Sequence, residues 1–132
     1  MYAKLQSGER FDLLSNEKVE SILKNLHPEY NARATFFTTD DEWLSVIGCI
    51  SDGFALSYQA AGSRTVYYCE RMLTHVEVKA ILACFIQGDA RWRAAVSWKR
   101  SSRFAAPALA IAVAVVIISI LVLLLLDLVK WF

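Results

Sequence analysis

The apolar positions of this chain change period along its length. Over LLSNEKVESILKNLHPEY, Val19, Ile22, Leu23 and Leu26 recur at helical spacing, with Ser15 placed as N-cap and Glu17 in the first turn. Pro28 ends that helix, because the residue before a proline avoids the helical region. The pattern then shortens to strands. ATFFT (34–38) is aromatic and β-branched, and EWLSVIG follows the turn Thr39-Asp40-Asp41. FALSYQ (54–59) alternates, with Phe54, Leu56 and Tyr58 on one side and Ala55, Ser57 and Gln59 on the other, as a half-buried strand does. After the turn Ala60-Ala61-Gly62-Ser63, RTVYYCE makes its partner.

Helical spacing returns with Val78, Ile81, Leu82 and Phe85. Thr74 and Glu77 have the spacing of a capping box, Leu73 and Val78 that of a hydrophobic staple, and Gly88 suits the left-handed residue that stops the helix. For residues 90–98 the pattern fits a short helix through Trp92 and Val96 or a return strand. The pattern therefore predicts an α+β domain, α-β-β-β-β-α, with a four-stranded antiparallel sheet over residues 13–98. Residues 1–12 read as a frayed, flexible arm.

Beyond the domain the period disappears. Residues 104–126, FAAPALAIAVAVVIISILVLLLL, carry no charge. A hydrocarbon core about 30 Å thick takes ~20 apolar residues of helix, so this stretch predicts one C-terminal transmembrane α-helix. Residues 99–103 then form a basic juxtamembrane linker and 127–132 a short tail. Residues 1–88 carry 8 Lys+Arg against 11 Asp+Glu, whereas residues 89–104 carry 5 against 1. A basic excess beside a span is kept on the cytoplasmic side. With no apolar h-region in MYAKLQSGERFD, the expected layout is tail-anchored and single-pass, with the N-terminal domain cytoplasmic at a bacterial inner membrane. Arg91, Arg93, Lys99, Arg100 and Arg103 are the expected membrane-surface contacts, with Trp131 and Phe132 as the far anchor. Ala106, Ala110 and Ala114 are spaced for a weak homodimer through the span.

Candidate chemistry is thin. Cys49, Cys69 and Cys84 have no CxxC spacing, and their odd number suits reduced thiols in a cytoplasmic domain. Cys69, His75 and Cys84 lack the fourth ligand and close spacing of a zinc site. Neither Cys49 nor Cys69 has a local motif pairing it with His27 or His75 as a base. Asp40-Asp41-Glu42 lacks the D-x-D-x-D-G pattern of a calcium loop. Trp92 and Trp98 among the arginines resemble a nucleic-acid surface, but lipid contact and topology account for the same charges, and at least one of these tryptophans belongs in a core. The expectation is no catalytic residue, no metal, no cofactor and no nucleic acid, with membrane lipids and a protein as partners.

One longer pattern remains. Residues 53–98 run from a strand ending in Tyr58-Gln59, through a small turn and a Tyr-rich strand, to a helix opening at Leu73-Thr74, then Gly88-Asp89-x-x-Trp92 and Trp98. In that order they resemble a family of small bacterial αβ proteins, some grouped with immunity proteins of polymorphic toxin systems. The resemblance implies a binding protein and not an enzyme. The expected function is a membrane-tethered protein-binding module, of immunity type, neutralising a toxin near the inner membrane. Its contact surface would be the sheet face and the loops at 39–42, 51–53 and 60–64. The alternative is a structural or accessory single-span subunit acting through its helix.

Overall fold

The computed structural model describes residues 1–12, 14–101 and Ile118. Residues Met1–Ser101 form one unit. Its elements are β1 (Tyr2–Leu5), β2 (Arg10–Asp12), α1 (Asn16–Lys24), β3 (Arg33–Thr39), β4 (Glu42–Cys49), β5 (Gly53–Gln59), β6 (Val66–Cys69), α2 (His75–Ile86), a short 3-10 helix (Ala90–Arg93) and β7 (Trp98–Arg100).

Two features correct the expected architecture. The sheet has seven strands, not four, in the order β2-β1-β3-β4-β5-β6-β7, with every neighbouring pair antiparallel. The residues read as a frayed arm are the hairpin β1–β2. Its turn is closed by Leu5 N–H to Glu9 O (2.8 Å) and Gly8 N–H to Leu5 O (2.9 Å). Residues 90–100 supply both a 3-10 turn and a strand, because β7 pairs with β6 at Tyr67–Arg100, Tyr68–Lys99 and Cys69–Trp98. Second, no helix among the described residues is long and apolar enough to cross a membrane. The described residues therefore give the expected single-pass, tail-anchored architecture no support. The stretch 104–126 on which it was placed lies outside the described residues, Ile118 excepted.

Strand alternation decides where the core sits. Ala3, Leu5, Ala34, Phe36, Leu44, Val46, Phe54, Leu56 and Cys69 are buried on one face of the sheet. They form a single cluster with Val19, Ile22 and Leu23 of α1 and with Val78, Ile81, Leu82 and Phe85 of α2. Both helices therefore cover the same face, as an antiparallel sheet permits. Burying a Phe or Leu in such a layer contributes about 2 kcal/mol each. Lys79 of α2 reaches across to Glu20 of α1 (2.7 Å), and Lys24 joins from the next turn at 3.2 Å.

Aromatic rings tie the last strand to this layer. Tyr58 packs edge-on against Trp92 (4.9 Å) and Trp98 (4.7 Å) and stacks on Tyr67 (5.0 Å). Trp92 meets Phe85 edge-on at 5.5 Å, and Trp98 Nε1–H donates to Arg93 O at 3.0 Å. Such edge-to-face pairs add about 0.5–1.5 kcal/mol beyond burial.

The β4–β5 turn depends on a close backbone approach. Gly48 has φ +138°, and a Cβ placed there would lie 2.2 Å from Gly53 O. Gly62 has φ +71° with open space around it. Gly48→Ala is expected to destabilise by at least ~2 kcal/mol, and Gly62→Ala by only about 1 kcal/mol, the cost of the left-handed backbone alone. Thermal melts of the two variants check this. Equal losses would remove the close approach as the reason for Gly48.

Candidate functional site

The face of the sheet opposite the helices has no helix on it among the described residues. Register places its side chains in cross-strand rows. One row runs Asp12, Tyr2, Phe37, Trp43, Gln59, Val66. The next runs Arg10, Lys4, Thr35, Ser45, Ser57, Tyr68, Lys99. A third holds Arg33, Ile47 and Ala55.

The first row is an aromatic ridge. The Tyr2 ring is stacked on Phe37 at 4.7 Å and 13° from β3's side. From β2's side the Arg10 guanidinium lies 3.9 Å from its centroid. The ring is therefore flanked along the strand-to-strand direction and shows its edge, not a face, outward. Its hydroxyl donates to Asp40 Oδ1 at 3.2 Å. Tyr2, Phe37 and Trp43 are half-buried. Behind the ridge lies a hydroxyl row, in which Thr35 and Ser45 share a hydrogen bond of 3.1 Å. Tyr68 stands 41% exposed on the far side.

Two of the three loops expected to contribute meet at one end of this face. Gln59 Nε2–H donates to Asp41 O (3.0 Å), and Gly62 N–H donates to the Asp41 carboxylate (2.9 Å), joining loop 39–42 to loop 60–64. The Thr39 hydroxyl and the Gly62 amide hold the Asp41 carboxyl below the usual range. The turn at 51–53 lies at the opposite end of β4 and β5 and belongs to a different region.

Three of the basic residues expected to meet lipid have acidic neighbours. Arg91 is bound to the Asp89 carboxylate at 2.7 Å. Arg93 lies 3.6 Å from Glu42 and 5.2 Å from the Trp92 ring centroid. Lys99 pairs with Glu70 at 2.8 Å, and Arg100 stands exposed on the edge strand β7. Arg103, Trp131 and Phe132 lie outside the described residues. Trp92 is 5% exposed and Trp98 half-buried, so both tryptophans are packing residues.

The remaining motif residues are local structure. The Thr74 hydroxyl accepts from Glu77 N–H, and the Glu77 carboxylate accepts from Thr74 N–H at 2.8 Å, which completes the capping box. Gly88 (φ +72°) follows the Gln87 C-cap, and Asp89 caps the 3-10 helix through Arg91 N–H at 3.0 Å.

The cysteines and histidines do not converge. Cys49 contacts Ser51 (3.2 Å) and Asp52 (3.3 Å). His27 stacks on Tyr30 at 4.4 Å. His75 lies 6.5 Å from the Phe54 ring, and its Nε2 is buried without a hydrogen-bond partner. Among the described residues no three His, Cys, Asp or Glu side chains are placed to hold a metal. A groove of about 420 Å³ runs between α2 and the 3-10 helix, floored by Ala80, Ile81, Cys84 and Trp92. The charges at its rim are already engaged, Glu77 with Arg71 (2.7 Å) and Arg91 with Asp89.

Sequence reasoning missed Tyr2, Lys4 and Arg10, because the arm was not read as a hairpin. The signal was present. Ala3 and Leu5 alternate with Tyr2 and Lys4, and Ser7-Gly8 is a turn pair. No family model, no curated protein and no solved structure matches this chain.

The cap carries a pH signature. The Arg71 side chain, then the Thr74 amide, hold the Glu77 carboxyl down from an ordinary 4.5 to about 2. A depressed carboxyl contributes stability that is present above its unfolded value and is lost as pH falls through its folded one. Glu77→Gln is expected to lower Tm by a few degrees near neutral pH, with the deficit shrinking from about pH 4.5 down to about pH 2. Melts across that range read it. A deficit that stays constant with pH would show that the charge contributes nothing.

Proposed function

We propose that this chain is a protein-binding module whose contact surface is the open face of the sheet. The observation that supports the reading is the row Tyr2, Phe37, Trp43, half-buried, with no helix over it among the described residues and a packed core on the other side. Aromatic side chains held rigidly on a sheet are the residue type that dominates protein interfaces. Strands of three to eight residues, at ~3.3 Å per residue and about 4.8 Å apart, give this face on the order of 600 Å² before side-chain relief. A stable interface takes ~800 Å² per partner. In the form the family resemblance implies, the bound protein is a toxin, and covering its working surface neutralises it. This reading asks for no catalytic group, cofactor or metal.

The test is affinity capture from the source cell with the full chain, run in parallel with Trp43→Ala and Phe37→Ala. Both positions are half-buried, so circular dichroism and melting must first show each variant folded. Wild type is expected to retain one stoichiometric protein, and each variant to retain about tenfold less, as loss of an interface aromatic implies. A partner held equally by all three proteins overturns the assignment of the surface.

A further inference from the structure

The charges on the open face go further and give the chemistry of the partner; the inference rests on the reading of that face as the contact surface. Asp12 is taken up by Arg10 at 2.9 Å, and Glu70 by Lys99 at 2.8 Å. Lys4 and Arg33 are left, both exposed, and neither forms an ion pair with another described residue. They are neighbours. Lys4 pairs with Thr35 across β1–β3, and Arg33 lies two residues before Thr35 on the same face. Such diagonal positions are about 7–8 Å apart.

Two cations at that spacing repel one another, and a carboxylate seated between them turns the repulsion into two attractions. The half-buried Thr35 hydroxyl stands beside them, bonded to that of the buried Ser45. A carboxylate has more acceptor sites than the cations fill, and a hydroxyl can donate to one. Phe37 and Trp43 lie in the next row along the same strands. The face thus sets an anion-binding corner against an apolar ridge.

We infer that the partner presents an acidic segment, with a carboxylate over Lys4 and Arg33 and an adjoining apolar side chain on the Phe37–Trp43 ridge. A nucleic acid fits less well. Base stacking needs an open ring face, and the Tyr2 ring is flanked by Arg10 and Phe37. A second copy of this chain would bring the same two uncompensated cations to the contact.

The experiment is a selection from a displayed library of random peptides on the immobilised full chain. Wild type is run beside three variants: Lys4→Glu with Arg33→Glu, the conservative pair Lys4→Arg with Arg33→Lys, and Trp43→Ala. Selected peptides are expected to be rich in Asp and Glu beside an aromatic or branched apolar residue. Their affinity is expected to fall about tenfold or more between low and high salt. The charge-reversed pair is expected to lose about thirtyfold or more, and the conservative pair to bind within a few-fold of wild type. Both Lys4 and Arg33 are exposed, so melting should show the reversed pair folded. Peptides that need Trp43 but show no acidic bias, or ignore the charge reversal, overturn this inference and leave the protein-binding reading standing. A selection that yields no Trp43-dependent peptide overturns both. Tight binding of a fluorescent oligothymidylate that the charge reversal abolishes overturns the acidic segment in favour of a nucleic acid.

Discussion

Both helices pack on one face of the seven-stranded sheet, and strand register decides which side chains that face receives. Each strand presents alternate residues to opposite sides. Phe36, Leu44, Val46, Phe54 and Leu56 are turned toward the helices, and Phe37, Trp43, Ile47 and Ser57 are turned away. A slip of one residue in any pair would exchange these sets. The core and the candidate contact face are thus two outcomes of one constraint.

That constraint explains the placement of the polar residues. The connection α1 crosses over the helix side from β2 to β3, and α2 crosses the same side from β6 to β7. Charged groups on that side are spent on joining elements. Lys79 and Lys24 hold Glu20 between the helices, and Arg93 approaches Glu42 from the 3-10 helix. Their solvent exposure makes each pair a modest contributor. On the open side the charges join fewer elements, and among the described residues the Lys4–Arg33 corner joins none. The two sides of one sheet therefore differ, with cohesion on the helix side and the proposed recognition on the other.

The α2 groove and the open face differ in the same respect. Both expose apolar groups, but the rim charges of the groove are neutralised by near neighbours in the chain, Asp89 by Arg91 and Glu77 by Arg71. Compensated charges steer no partner, whereas uncompensated ones beside an apolar ridge give orientation and selectivity. On that ground the open face, and not the groove, is the proposed contact surface.

What the sequence determined by itself is local. The caps at Ser15 and Thr74, the helical stripes of α1 and α2, the stop at Gly88 and the alternation of β5 depend on residues within a turn or two of each other. The tertiary structure alone decided the number and order of the strands. Pairing Tyr2 with Phe37, or Cys69 with Trp98, joins segments whose own patterns are too short to declare a partner. It also decided the role of the tryptophans. A run of basic and aromatic residues reads like a surface in one dimension, yet Trp92 and Trp98 close around Tyr58, because burial is a property of the assembled layers and not of the neighbours in sequence.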